Sequence, residues 1–211
     1  MTDTKTLLKE AAIRTLREDG LAGASARTIA GRAGVNQALI FYHFDTVNEL
    51  LEVASNDAVD AAVAHYCEAF AGTASLTDLL GLGREVRGRE RANGNVAVMA
   101  QLMSGAQGNE VLSRATRYAM ARWTAEIERV LRRVVGTGPM AGLVDLTGLA
   151  HLVSAGFIGL ELYAGADQEG ADRALATLGD LARLTETLDS VGPVAARVIR
   201  SAARRKGGSG S

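Results

Sequence analysis

Residues 28–44 read TIAGRAGVNQALIFYHF, and this stretch decides the fold. A helix-turn-helix unit needs small or apolar residues where its two helices cross, a glycine that reverses the chain, and apolar residues that fill the space between the helices. These needs are met in turn by Ile29, Ala30 and Ala33, by Gly34, and by Val35 with Ile40. The spacing therefore predicts two short helices separated by a tight turn.

The flanking residues predict where these helices begin. Ser25 is a favoured N-cap for the first of them and Asn36 for the second. An earlier helix is predicted over residues 4–19, where Gly20 supplies a left-handed cap. Three short helices are thus expected before residue 46.

The second helix of the motif presents an outward set of amides, rings and an imidazole: Asn36, Gln37, Leu39, Phe41, Tyr42 and His43. Side-chain amides read base edges, and hydroxyl groups bind phosphates. The set therefore predicts a DNA-recognition helix. Between residues 25 and 44 the basic residues Arg27 and Arg32 stand without an acidic residue, which predicts a modest positive face.

The rest of the chain also has the helical period. Apolar residues recur every three or four positions and only two prolines occur, so the chain is predicted to be all-α. Long helices are predicted over 46–70, 112–134, 143–163 and 175–188. Among them, Gly81, Gly83, Gly88 and Gly94 each weaken a helix by about 1 kcal/mol relative to alanine, which predicts a loosely held region.

Composition narrows the class of protein. A net charge of -1 over 211 residues is not that of a generally basic nucleic-acid binder, so DNA contact depends on local placement. The single cysteine, Cys67, and the lack of an apolar signal core favour a cytoplasmic protein. The longest nearly uncharged stretch, 146–160, is shorter than the roughly 20 residues of a membrane span, so we expect a buried helix and no membrane.

Several segments together match one known pattern: a first helix ending at Gly20, Ser25 with Arg27, residues 29–30 and 33–35, and above all residues 41–44 followed by Asn48, Glu49 and Leu50. With these features the chain resembles the TetR family of transcriptional regulators. The resemblance implies an all-helical fold, a homodimer through the last two long helices, and an inducer pocket in each body. It places DNA-facing positions at Ser25, Arg27, Gln37, Leu39, Phe41, Tyr42 and His43, to which the motif itself adds Thr28 and Asn36.

Three positions depart from the family pattern. Phe41 stands where a tyrosine is usual, which replaces a hydroxyl contact by apolar contact with a thymine methyl group. Leu39 stands where a small or hydroxylated residue is frequent, and Val47 where a lysine usually binds a phosphate. Backbone amides at the start of that helix can serve in its place.

Rings and methionines in the helical body are candidates to line a ligand pocket, although such residues at helical spacing are also typical of an ordinary core. The candidates are Tyr66, Phe70, Met99, Met103, Tyr118, Trp123 and Phe157, with Glu161 as a polar group that must find a partner.

These features predict a ligand-responsive regulator, a repressor that is released from a near-palindromic DNA operator by a small, largely apolar effector. The alternative is a DNA-binding protein whose helical body recruits a protein partner. Neither catalysis nor a metal site is predicted, because the three histidines lack a nucleophile or a carboxylate at useful spacing, and no cofactor is expected.

Three segments are predicted along the chain. A helix-turn-helix DNA-binding domain covers 1–46, a helical ligand-binding and dimerisation domain covers 47–203, and 204–211 is a disordered tail. The homodimer is expected to form through 143–163 and 175–188. There, Ala155, Gly156 and Gly159 are small enough to let helices approach closely.

Overall fold

The computed structural model describes residues 3–136 and 144–190. Over these residues it contains ten α-helices and no strand, which confirms the all-α prediction. The helices are α1 (Thr4–Glu18), α2 (Gly20–Gly23), α3 (Ala26–Ala33), α4 (Ala38–Phe44), α5 (Val47–Gly72), α6 (Leu76–Ala92), α7 (Asn95–Ala106), α8 (Glu110–Val134), α9 (Leu146–Ala164) and α10 (Gln168–Ser190). The predicted tail, 204–211, and the predicted helix start at residue 143 lie outside the described residues.

The chain divides into two compact units by its internal contacts. The head unit consists of the described residues up to His65 together with Gly88–Arg122, and the body unit consists of Tyr66–Arg87 together with the described residues from Trp123 onward. The division falls within α5, α6 and α8. The domain boundary proposed between residues 46 and 47 stays a prediction.

The head unit has a closed apolar core built from α1, α3, α4, α5, α7 and α8. Its fully buried members include Leu8, Leu16, Ile29, Ile40, Leu50, Leu51, Leu102 and Leu112. Gly105 of α7 is needed for the close approach in this core, because a Cβ there would lie 2.6 Å from the Leu21 side chain and 2.7 Å from that of Leu112. The packing of α7 against α2 and α8 therefore depends on a residue without a side chain.

The body unit has a second core, formed by the end of α5 with α6, α8 and α9. Its buried members are Tyr66, Phe70, Leu79, Leu82, Val86, Val130, Leu131, Val135 and Ala150. Polar contacts tie α6 to α10: the Thr77 amide donates to Glu186 at 2.8 Å, and Arg84 donates to the Leu175 carbonyl oxygen at 3.0 Å. These contacts hold the first part of α6 in place.

The glycine-rich region differs from the sequence prediction. Instead of a loosely held segment, α6 runs unbroken through Gly81, Gly83 and Gly88. The leucines and valine of this helix are buried in the body core, and such tertiary packing outweighs the low helix propensity of glycine. The chain turns at Gly94, whose φ is +74°.

The expectation of a buried helix at 146–160 is wrong for the single chain. The helix α9 extends to Ala164, and only 17% of the apolar 18-residue stretch within it is buried. Its mean hydropathy is 1.3, so by length and composition alone it could cross a membrane. The core helices of soluble proteins pass the same test. Within one chain, only part of the apolar surface of α9 is covered by other residues.

Candidate functional site

The turn between α3 and α4 has the local structure that its sequence predicts. Ser25 caps α3, because its side-chain oxygen accepts a hydrogen bond from the Thr28 amide at 3.1 Å. Gly34 ends the helix with φ +68°, a left-handed conformation that glycine adopts at no steric cost. The Asn36 side chain then accepts from the Ala38 amide at 2.9 Å and helps to start α4.

The helix α4 is anchored on one side and open on the other. Ile40 and Phe44 are buried in the head core. On the opposite side Tyr42 is 80% exposed and Phe41 is 51% exposed, and the His43 ring packs edge-on against Tyr42 with centroids 4.9 Å apart. The anchored side therefore fixes the direction in which the ring side chains face.

The remaining candidates for DNA contact lie beside these rings or at the start of α3. Asn36 and Gln37 are exposed at the start of α4, whereas Leu39 is half-buried and packs against the head core. Ser25 is exposed, and its hydroxyl lies 2.8 Å from that of the half-buried Thr28. Either hydroxyl must turn outward from this pair to reach a phosphate.

The positive face is smaller than the sequence predicts. Arg32 forms ion pairs with Glu18 and with Asp19, the latter at 2.7 Å. The hydrogen bond that Arg32 donates to the Glu18 carboxylate raises the pKa of Arg32 and lowers the pKa of Glu18. Arg27 is exposed on α3 and is the cation of this segment that these carboxylates leave available.

The start of α5 follows α4 after a tight turn. Asp45 has φ +59°, and the Thr46 amide donates to the Phe44 carbonyl oxygen at 2.6 Å, which is the pattern of a strained γ-turn. The Thr46 hydroxyl caps α5 by accepting a hydrogen bond from the Glu49 amide at 3.1 Å, and it donates to the Glu49 carboxylate at 3.2 Å. Val47 packs its side chain into the head core.

Four of the candidate ligand residues come together in the body unit, and we call them the aromatic cluster. Tyr66 and Phe70 are buried on α5, and their rings lie 6.0 Å and 6.3 Å from that of Trp123 on α8. Phe157 of α9 packs against the same core. Beside Phe70, a cavity of about 90 Å³ is lined by Cys67, Phe70, Ala71, Glu126, Arg129, Val130 and Arg133.

Glu161 also lies in the body unit, where it has a partner that sequence reasoning missed. Its carboxylate, only 2% exposed, accepts a hydrogen bond from Nε of Arg87 on α6. A carboxylate within an apolar helix requires a positive partner when buried, and that signal was present in the sequence. The two residues are 74 positions apart in the chain, so the sequence does not show that Arg87 is the cation that pairs with Glu161.

The other three candidates belong to the head unit. Met99 and Met103 are half-buried on α7. Tyr118 of α8 donates to the Asp60 carboxylate at 2.7 Å, and this hydrogen bond raises the pKa of Tyr118 and lowers that of Asp60. The structure therefore assigns these residues to a different unit from the aromatic cluster.

Metal ligation finds no support among the described residues. Within 3–136 and 144–190, no three histidine, cysteine, aspartate or glutamate side chains are grouped as metal ligands. The head unit presents the exposed side of α4, and the body unit separately contains the aromatic cluster.

Comparison with known proteins identifies both the head and the fold. The family model for bacterial regulatory proteins of the TetR family matches residues 8–54. An HTH-type transcriptional regulator of Mycobacterium tuberculosis is 27% identical over 138 residues, which are 64% of this chain and 69% of that protein.

Solved structures extend the likeness of the fold to the body. A TetR transcription regulator from Haloarcula marismortui superposes with a TM-score of 0.70 at 20% identity, covering 87% of this chain and 98% of that one. The regulator FadR from Bacillus subtilis, in complex with stearoyl-CoA, gives a TM-score of 0.69 at 15% identity over 83% of this chain and 96% of its own. Residues 8–54 therefore match the head of the TetR family of bacterial regulatory proteins, and the chain shares its overall helical fold with solved TetR-family regulators.

Proposed function

We propose that the protein is a ligand-responsive repressor in the cytoplasm, which binds a near-palindromic operator as a homodimer and is released by a small, largely apolar effector. The observation that carries the DNA-binding part is the geometry of α4. Its buried side is held by Ile40 and Phe44, and its open side presents Phe41 and Tyr42 to solvent.

The head offers the groups needed to read a half-site. The Gln37 amide can pair with a base edge, and the exposed Phe41 ring suits apolar contact with a thymine methyl group. Arg27 can bind a base or a phosphate. Since Arg32 is paired with carboxylates, we expect a shallow salt dependence of non-specific binding.

The exposed face of α9 and α10 supports a homodimer. The large apolar side chains left in solvent on these helices are Leu152, Leu162, Tyr163, Leu178, Leu181 and Leu184. A Cβ added at Gly156 or Gly159 would meet nothing within 4 Å, so a second helix can approach α9 there. An apolar surface of this kind is covered favourably by its own copy around a twofold axis.

The aromatic cluster is the proposed location of the effector. Its rings are apolar, and the neighbouring cavity of about 90 Å³ holds only a fragment of a typical ligand, since ligand pockets measure about 300 to 1,000 Å³. Binding of a larger molecule therefore requires the body to open. The complex of the related fold of FadR with stearoyl-CoA supports a ligand-binding body.

The continuous helix α5 is the proposed route from effector to DNA. It begins next to the γ-turn that follows α4, and its Tyr66 and Phe70 belong to the aromatic cluster. A ligand that displaces these rings tilts the helix and changes the spacing of two heads on the operator. To convert a mostly competent population into a mostly incompetent one, the ligand must prefer the second state by about 5 kcal/mol.

The decisive experiment selects DNA fragments with the purified protein and measures affinity for the selected and a random duplex. We expect selected sites to contain inverted half-sites and Arg27→Ala to weaken operator binding by about 1 to 3 kcal/mol. Arg117→Ala is the matched control, because it removes the same charge from an exposed position on α8. Equal affinity for both duplexes at physiological salt would contradict the operator proposal.

Ligand control is tested separately, by operator affinity with and without a compound that binds the body unit. We expect release of DNA at saturation. Unchanged affinity would reject ligand control and favour the alternative, in which the apolar face of the body recruits a protein partner.

A further inference from the structure

The partly buried cation Arg87 has one nitrogen for which the described part of the chain provides no hydrogen-bond partner. Its side chain is 13% exposed, and its Nε donates to the Glu161 carboxylate. Its Nη1 lies 3.5 Å from the carboxylate of Asp172, a side chain that is 60% exposed. Its Nη2 is buried and has no hydrogen-bond partner among the described residues.

An unpaired nitrogen on a charged group is costly once water is removed from it. A buried donor without an acceptor loses its hydration and receives nothing in return, and the loss is larger for an ionised group than for a neutral one. Such atoms are rare in folded proteins, so a specific instance calls for an acceptor from water or from another molecule. An acceptor held by another molecule would complete the coordination of Arg87.

The guanidinium is bound to Glu161, which lies one helical turn along α9 from Phe157 of the aromatic cluster. Val86, the neighbour of Arg87 in α6, is buried in the same core as Tyr66 and Phe70. On α9, Phe157 precedes Glu161 by four positions, so the two side chains share one face of the helix. A molecule among the rings can therefore extend a polar end toward Arg87.

The charges around this nitrogen decide what kind of acceptor fits. Glu161 already neutralises Arg87, and Asp172 adds a second negative charge nearby. A carboxylate brought to Nη2 would be repelled by Glu161 at low dielectric constant. A neutral oxygen meets no such repulsion.

We propose that Nη2 of Arg87 is the polar anchor of the effector site, and that the effector carries an uncharged hydrogen-bond acceptor, a carbonyl oxygen, on an apolar body. This inference rests on the proposed ligand control and specifies the chemistry of that ligand. Glu161 acts as a positioning residue, because its carboxylate orients the guanidinium and excludes anionic ligands.

The test compares three probes of nearly equal size on the full-length protein: ethylbenzene, acetophenone and benzoate. Isothermal titration calorimetry measures their affinities for the unaltered protein and for Arg87→Lys, which keeps the charge but loses the planar fork. We expect Arg87→Lys to weaken acetophenone binding by about tenfold and to leave ethylbenzene binding unchanged. Benzoate should bind more weakly than acetophenone to the unaltered protein.

Two controls keep the result interpretable. Arg84→Lys makes the same substitution one turn earlier in α6, at an exposed side chain, and should change neither affinity. If Arg87→Lys fails to fold, the paired variant Arg87→Met with Glu161→Leu removes both buried charges and should show the same selective loss for acetophenone.

Three outcomes would overturn the anchor: an equal loss for acetophenone and ethylbenzene, no loss for either, or no binding of any probe by the unaltered protein. None of them decides the proposed function, which depends on operator release by any compound that binds the body. If no bound compound changes operator affinity, but Arg87→Lys still weakens acetophenone binding selectively, ligand control is rejected and Arg87 remains a binding site.

Discussion

The head unit and the body unit bury their apolar side chains to different extents. In the head, residues such as Leu8, Ile29 and Ile40 are completely inaccessible to solvent. The body core is closed less tightly, because Trp123 and Phe157 are half-buried and α9 with α10 leaves a row of leucines in water. The core beneath α4 is closed within the chain, whereas α9 and α10 of the body leave a row of apolar side chains in solvent.

This difference agrees with the function that we propose for each unit. Recognition of a rigid duplex requires side chains that stay in one orientation, and a closed core beneath α4 supplies that constraint. A body that dimerises and responds to a ligand needs apolar surface that is uncovered or loosely covered in the single chain. The burial of apolar side chains therefore differs between the two units in the sense that their proposed roles require.

The largest expected effect comes from opening the head core. Ile40→Ala removes a fully buried side chain under α4 and should destabilise the head by about 2 to 5 kcal/mol, with loss of DNA binding. Urea denaturation followed by circular dichroism measures the change, while the single tryptophan, Trp123, reports on the body by fluorescence.

Leu82→Ala provides the counterpart in the body core. Leu82 on α6 is 8% exposed, whereas Ile40 is fully buried, so we expect a cost near the lower limit, about 2 kcal/mol, with DNA binding retained. A cost equal to that of Ile40→Ala would show that the two cores do not differ in the way described.

A smaller effect is expected on α9 of the body, whose apolar face the single chain leaves uncovered. Gly156→Arg places a long charged side chain in open space on α9, so the single chain tolerates it, but a second copy cannot approach. We expect the dissociation constant of the dimer to rise by about 10- to 100-fold, which corresponds to about 1.4 to 2.8 kcal/mol. Light scattering over a dilution series measures this change.

Gly81→Arg is the matched control for the dimer, because Gly81 is exposed on α6 and also has open space around its Cβ position. It should leave the association unchanged. A monomeric unaltered protein at micromolar concentration would contradict the homodimer itself.

The smallest effect is expected at the link between α4 and α5. Asp45 has φ +59° and ψ -47°, a backbone conformation that costs about 1 to 3 kcal/mol for a residue with a side chain. Asp45→Gly should relieve most of this strain and stabilise the head by about 1 kcal/mol, after the extra entropy of glycine in the unfolded chain is subtracted. Thermal unfolding of Asp45→Ala, which keeps the strain, should show no such gain.

The sequence by itself determined the local structure of the head. Ser25 as an N-cap, Gly34 in a left-handed conformation and the buried Ile40 all follow from interactions within a few residues, which the chain encodes directly. The same features carry the resemblance to the TetR family, whose model matches residues 8–54. Positive φ at Gly20 was also predictable, although the short helix α2 that begins there was not.

Only the tertiary structure decided which distant side chains meet. Arg32 is neutralised by Glu18 and Asp19, Arg87 is buried against Glu161, and the methionines of α7 belong to the head unit and not to the aromatic cluster. The helical period places a residue on a face of its own helix, but it carries no information about the helix that covers that face. The partner of a buried charge is set by the packing of whole helices, and that packing depends on the summed burial of many side chains rather than on any local pattern.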